Sequence, residues 1–169
     1  MPARSAVLAI LLSSVSLSAR AKDGGHDHDA AAHGAGVDHR GDHAMGFSHE
    51  KTAHHFGLTR AGGYISAESK DAKDTASRDA IVQHFHHIAS AFQQGNFEMP
   101  MFIHGRVPPG VTEMKRLAAF IAYSVVETPA GGRVLVTATN PEALDAVHRF
   151  LRFQIEDHRT GDSLEVQPL

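Results

Sequence analysis

The sequence predicts an α+β domain: two ββα units form a four-stranded antiparallel sheet with two main helices on one face, plus a short connecting helix. Ala-Gly-Gly triplets at residues 61–63 and 130–132 each lie between two strand-like runs, and their glycines supply the positive φ angles of tight hairpin turns. An amphipathic helix follows each hairpin, with an Asp-Ala-aliphatic triplet near its start. This repeated order of hairpin and helix predicts the paired units.

In the first unit, residues 54–59 and 64–68 form the hairpin and residues 70–77 form a polar connection. Asp74, Thr75 or Ser77 is available as the N-cap of a helix that runs to about Gln94. Gly95 then provides a C-terminal stop signal. Apolar residues that recur at helical spacing predict the buried face, namely Ile81, Phe85, Ile88 and Phe92.

In the second unit, residues 97–109 are expected to be irregular or partly extended, and residues 112–119 to form the short connecting helix. Residues 120–127 and 133–139 form the second hairpin. Asn140 caps the last helix, which continues to about His158. Its buried face is formed by Leu144, Val147, Leu151 and Ile155. Phe150 and Phe153 lie off this face and predict a second apolar surface, either under residues 97–119 or in a homodimer.

Residues 1–21 have the pattern of a signal peptide. A basic start precedes an apolar run at residues 6–17, and Ala19 and Ala21 provide the small residues of a cleavage site. A bilayer span needs about 20 apolar residues, and no run in the sequence approaches that length. We therefore expect a periplasmic or secreted protein without stable membrane insertion. The sequence contains no cysteine, so a disulfide framework is excluded.

The charge of the chain argues against nucleic acid as a partner. Removal of residues 1–21 takes away Arg4 and Arg20 but no acid, which lowers the formal net charge from −3 to −5. Phosphate backbones are bound by basic patches. The unusual feature of the composition is its 14 histidines, which would make the charge more positive under mildly acidic conditions.

Residues 22–53 are expected to form a disordered tail, because they are rich in Gly, Asp, Ala and His and contain few large apolar side chains. Closely spaced imidazoles in a flexible segment can capture copper, zinc or nickel. The alternative is a hydrophilic linker in which histidine has no role. The candidate tail ligands are His26, His28, His33, His39, His43, Met45 and His49.

A second group of histidines is predicted inside the domain, at residues 54–169. His84 and His87 lie one turn apart beside an apolar stripe, whereas His86 points to solvent. Buried ionisable groups are costly unless they are paired or ligated. An internal copper or zinc site is therefore predicted, with a hydrogen-bonded network or a substrate pocket as alternatives. Its candidate ligands are His84, His87, His104, His148 and His158.

Methionines near His104 extend the candidate ligand set. Met99 and Met101 lie in the same short segment as this histidine. Thioethers suit the soft ion Cu(I), although methionine more often fills gaps in a core.

Two resemblances accompany these patterns. The segment Asp42-His43-Ala44-Met45 resembles Asp-His-x-Met pieces of periplasmic copper-resistance proteins. Residues 54–166, above all IHGRVPPG and FLRFQIEDHRTGD, resemble a family of small exported bacterial proteins often catalogued as aspartate carbamoyltransferase. The Ser-Thr-Arg-Thr loop and His-Pro-x-Gln segment of transcarbamoylases are missing from the sequence. The resemblance therefore implies an exported protein of this family rather than carbamoyl transfer.

The leading interpretation of the sequence is a periplasmic protein that binds copper or zinc. The first alternative is a small enzyme that uses the inner histidines as acid–base groups or metal ligands, although no Gly-x-Ser-x-Gly elbow or phosphate loop supports it. The second alternative is a structural or sensing module whose histidines respond to pH.

Overall fold

A five-stranded sheet forms the centre of the computed structural model, which describes residues 25–168, with side chains from residue 31 onwards. The predicted signal peptide at residues 1–21 lies outside the described residues. Within residues 25–168, no helix is both long enough and apolar enough to cross a membrane. The elements are α1 (Gly25–Met45), β1 (Thr52–Thr59), β2 (Gly62–Ser69), α2 (Thr75–Gln93), α3 (Glu98–His104), α4 (Val111–Arg116), a 3₁₀ turn (Ala118–Phe120), β3 (Ile121–Thr128), β4 (Gly131–Ala138), α5 (Pro141–Asp157) and β5 (Val166–Gln167).

The order of the strands is β3-β4-β2-β1-β5. The two hairpins join through an antiparallel β2–β4 pair, so the chain is an α+β protein as predicted. The prediction of a purely antiparallel four-stranded sheet is wrong, because β5 adds a short parallel strand beside β1. The cause lies just after α5, where the Asp162 carboxylate accepts a hydrogen bond from the Phe56 amide at 2.9 Å and contacts His55. This contact directs the chain along the edge of β1.

The core lies between the sheet and the two long helices. The predicted apolar stripe of α2 is buried, as are Val147, Leu151 and Ile155 on α5. Alternate strand residues such as Leu58 and Val134 belong to the same apolar cluster. Close approach of α5 requires glycine at position 63, since a Cβ atom there would collide with Leu151 and the Gly57 carbonyl.

Residues 98–104 are helical rather than irregular, which corrects the prediction for this segment. The preceding residue, Phe97, is fully buried and stacks on Phe92 with ring centroids 4.5 Å apart. Phe150 contacts the rings of both, and Phe153 packs against His104. The second apolar surface of α5 is therefore covered by the segment around α3, the first of the two predicted alternatives.

The N-terminal segment also differs from its prediction, because α1 is a helix where a disordered tail was expected. Tertiary contacts account for the difference, since they can order a segment of low intrinsic helicity. Val37 is 0 % exposed. Arg40 donates from Nε to the Ile103 carbonyl at 2.7 Å, and Arg159 forms an ion pair with Asp38. These contacts dock α1 beside α3 and the end of α5.

We predict that Val37→Asp releases α1, because a carboxylate cannot be buried without a partner at this position. Hydrogen exchange should then accelerate across residues 31–45, while the amides of β1, β2 and β4 keep their protection. Ala35→Asp is the matched control, since it adds the same charge at an exposed position of α1. Equal exchange rates in the two variants would contradict this account of docking.

Candidate functional site

A cavity of about 60 Å³, partly open to solvent, lies between the sheet, α2, α3 and the ends of α1 and α5. Most of its wall is apolar, with Phe56, Phe92 and Ile103 among the residues that line it. Six side chains in the wall can donate an electron pair to a metal ion through nitrogen or sulfur, four of them imidazoles and two of them thioethers. These side chains are His54, His84, His104, His158, Met45 and Met99. They come from five different parts of the chain.

His54 enters the pocket from β1. Residues of a strand alternate between its two faces, so His54 shares the inner face with the buried Phe56 and Leu58. Phe47 stacks on the His54 ring with centroids 5.5 Å apart and meets the edge of His84 at 5.6 Å. Among the described residues, the buried Nε2 atom of His54 has no hydrogen-bond partner.

His104, at the end of α3, makes the closest polar contact in the pocket wall. Its Nδ1 atom lies 2.6 Å from Asp157 Oδ2, and its Nε2 atom lies 3.0 Å from Gln154 Oε1. The His104 ring is buried at 2 % exposure and Gln154 at 4 %. Within the described part of the chain, Gln154 Nε2 finds no hydrogen-bond partner.

His158 follows the last residue of α5 and completes the group. Its ring centroid lies 5.0 Å from that of His104 at an interplanar angle of 82°, and its other side stacks on Phe56. His104 and His158 are therefore neighbours on one side of the pocket, and His54 and His84 meet around Phe47 on the other.

Burial keeps these imidazoles uncharged at neutral pH. Desolvation lowers the pKa of His54 and of His84 to about 4, and that of His158 to about 3. The pKa of His104 is also lowered by burial, which outweighs the opposing effect of its contacts with Asp157 and Gln154. For Asp157, burial raises the pKa, but hydrogen bonds with His104 and His33 outweigh it and the net shift is downward.

The structure brings three of the five predicted inner histidines to the pocket, His84, His104 and His158, and adds His54. It does not bring His87 or His148 there. His87 is exposed, because it lies on the face of α2 that points away from the core. His148 donates from Nε2 to the carbonyl oxygens of Thr59 and Gly62 at 2.9 and 3.0 Å. Its role is to hold α5 against the turn between β1 and β2.

The predicted tail ligands are dispersed along α1 and the following turn. His33 contacts Asp157 at 3.0 Å, and His49 contacts Asp42 at 2.9 Å. His39 and His43 are exposed. Met45 is the one tail candidate in the pocket wall among the side chains described. The side chains of His26 and His28 lie outside the described residues.

The candidate ligands surround a cavity but do not converge on one point. Within residues 31–168, no three histidine, aspartate or glutamate side chains lie together closely enough to hold a metal ion. A bound cation would therefore need small side-chain movements, or a ligand set that includes a thioether.

Two members of the pocket were missed by sequence reasoning. The signal for His54 was its alternation with Phe56 and Leu58 in a strand. Gln154 gave no signal, because a glutamine on a helix is ordinarily exposed.

Comparison of the chain with protein-family models, with curated proteins and with solved structures found no significant match.

We predict that the metal-free protein loses stability as the pH falls from 6.5 to about 4. The unfolded chain protonates these histidines near pH 6.5, whereas folded His54 and His84 protonate only near pH 4. Between these values the unfolded state binds more protons, so acid favours it by an amount on the order of a few kcal/mol. Urea denaturation at pH 7.5 and at pH 5 measures the difference.

The control for this prediction uses neighbouring positions on α2. His84→Gln should reduce the pH dependence of the unfolding free energy, because one of the buried histidines that resist protonation is gone. His86→Gln should leave it unchanged, since His86 is exposed. An unfolding free energy that is the same at both pH values would contradict the prediction.

Proposed function

We propose that this protein binds a transition-metal ion, copper or zinc, in the four-histidine pocket, and that it does so in the periplasm or outside the cell. The observation that carries the proposal is the gathering of four uncharged imidazoles from separate elements around one cavity. Neutral imidazole is the form that ligates metal, so no proton must leave before an ion binds. Without a bound ion, burying the polar ring nitrogens of four histidines in a largely apolar wall costs free energy.

The contact between His104 and Asp157 supports this proposal. Histidine ligands commonly donate their second ring N–H to a carboxylate, which fixes the tautomer and makes the ring a better donor. With its proton on Nδ1 against Asp157, His104 presents the lone pair of Nε2 to the pocket side. Asp157 would thus orient the ligand from behind.

The Gln154 amide supports it as well. The Nε2 lone pair of His104 and the Oε1 atom of Gln154 are both acceptors, yet they lie 3.0 Å apart. When no ion is present, rotation of the amide would let its NH₂ group donate to the His104 lone pair. A cation between ring and amide satisfies both acceptors. Burial disfavours a proton on His104, and in this proposal a metal ion is the cation that occupies this position.

The histidines of α1 suggest how an ion would arrive. His39 and His43 are exposed on this helix. A surface cleft lined by His33, Arg40 and Asp157 also reaches His104, so the His104 ring borders both the cleft and the pocket. In this proposal α1 captures ions at the surface and the pocket retains one.

A second candidate function is acid–base catalysis, favoured by the 2.6 Å contact between His104 and Asp157. A carboxylate that orients an imidazole is a recurrent arrangement in enzymes. Turnover that survives removal of all metal and disappears in His104→Gln would favour this candidate over metal binding.

We expect the metal-free protein to bind copper or zinc at neutral pH with at least micromolar affinity, measured by isothermal calorimetry. His84→Gln should weaken or abolish the tightest binding event. His86→Gln, on the same helix but exposed, should leave that event unchanged. Equal binding by both variants would exclude His84 as a ligand, and equal binding by His104→Gln as well would show that the pocket is not the site.

We also expect His148→Ala to separate stability from metal binding. The substitution removes the hydrogen bonds to Thr59 and Gly62 and should lower the free energy of unfolding by about 1 kcal/mol. Metal affinity should stay unchanged, because His148 does not line the pocket. If the folded variant no longer bound metal, His148 would belong to the metal site, contrary to this proposal.

A further inference from the structure

The charge of the pocket wall restricts the ion that it can hold. Among the side chains described, no Asp or Glu lines the pocket, and Asp157 touches it only through the far side of the His104 ring. The atoms of the pocket wall that can bind a metal ion are all uncharged: imidazole nitrogens, thioether sulfurs and an amide oxygen. An apolar cavity with neutral ligands compensates a single positive charge at lower cost than a double one.

The arrangement of donors restricts the ion further. Structural zinc is held by four ligands and catalytic zinc by three from the protein, usually including carboxylate or thiolate when imidazoles are few. In the part of the chain that the structure describes, no three imidazoles or carboxylates lie together. Monovalent copper accepts lower coordination numbers and is selected by soft thioether sulfur.

Two thioethers belong to the pocket wall. Met99 enters from α3, five residues before His104, and Met45 enters from the last residue of α1. Met101 lies between Met99 and His104 in the chain but does not line the pocket. The sulfur atoms on offer therefore come from two separate helices, one of which also carries the exposed histidines.

Resting on the function proposed above, we propose that the ion is monovalent copper, held by pocket imidazoles together with the thioethers of Met99 and Met45. His104 and His158, whose rings are neighbours, are the nearest imidazole pair. Met45 is the ligand that α1 contributes, so a bound copper ion would connect α1 to the rest of the domain. No bond is made or broken in this step other than those between the ion and its ligands.

The test uses the full chain with the α1 histidines other than His33 replaced by glutamine, so that binding at the surface does not obscure the pocket. Anaerobic titration measures Cu(I) against a chromogenic competing chelator, and Zn²⁺ is titrated in parallel. We expect Cu(I) to bind at least about 100-fold more tightly than Zn²⁺, given the soft ligand set. X-ray absorption of the loaded protein should show sulfur in the first coordination shell.

The methionine variants provide the matched comparison. Met99→Leu and Met45→Leu should each weaken Cu(I) binding by about tenfold or more while Zn²⁺ binding changes little. Met101→Leu, in the same helix as Met99, should bind Cu(I) as the parent does. Leucine and methionine have similar volumes, so each variant is expected to fold. Circular dichroism and thermal denaturation check that it does.

The outcomes separate this inference from the proposed function. Binding of Zn²⁺ as tight as that of Cu(I), or Cu(I) binding indifferent to Met45 and Met99, would overturn the assignment of monovalent copper while the pocket remains a metal site. Failure of both ions to bind, or binding unaffected by His104→Gln together with His158→Gln, would overturn the proposed function itself.

Discussion

The hydrogen bond between His104 and Asp157 joins the parts of the molecule on which the candidate site depends. It connects the end of α3 to the end of α5, and the Asp157 carboxylate also contacts the His33 ring on α1. One buried acid therefore positions three helices around the pocket. The bond also determines which nitrogen of His104 carries a proton, so the geometry of the fold and the chemistry of the pocket depend on the same contact.

The hairpins and the two long helices could be predicted from local patterns. Paired glycines mark the turns, and the spacing of Ile81 and Phe85 marks the buried side of α2. The fifth strand could not be predicted, because two residues carry no periodicity and their position depends on the contact of Asp162 with β1. For α3, Pro100 and the prolines that follow it suggested an irregular segment, whereas the burial of Phe97 and Ile103 favours a helix.

Helical periodicity can place a histidine beside the core, but tertiary contacts decide whether its ring reaches the pocket. His84 was correctly expected beside the core. His148 occupies an equally favourable position on its helix, but backbone carbonyls of the neighbouring turn take up its hydrogen-bonding capacity. Met45 reaches the pocket only because α1 docks, and docking depends on contacts between residues far apart in the chain, such as that of Arg40 with Ile103.

The glycines of α1 have a consequence for how this helix behaves. Gly34, Gly36 and Gly41 each cost the helix about 1 kcal/mol relative to alanine, so the separated segment would not hold a helical shape in water. The lack of a side chain at Gly34 lets the Arg159 guanidinium lie against the helix, and a Cβ atom there would displace it. Helicity and attachment are therefore acquired together and lost together. We expect this segment to form its helix only while it is docked as one wall of the cavity.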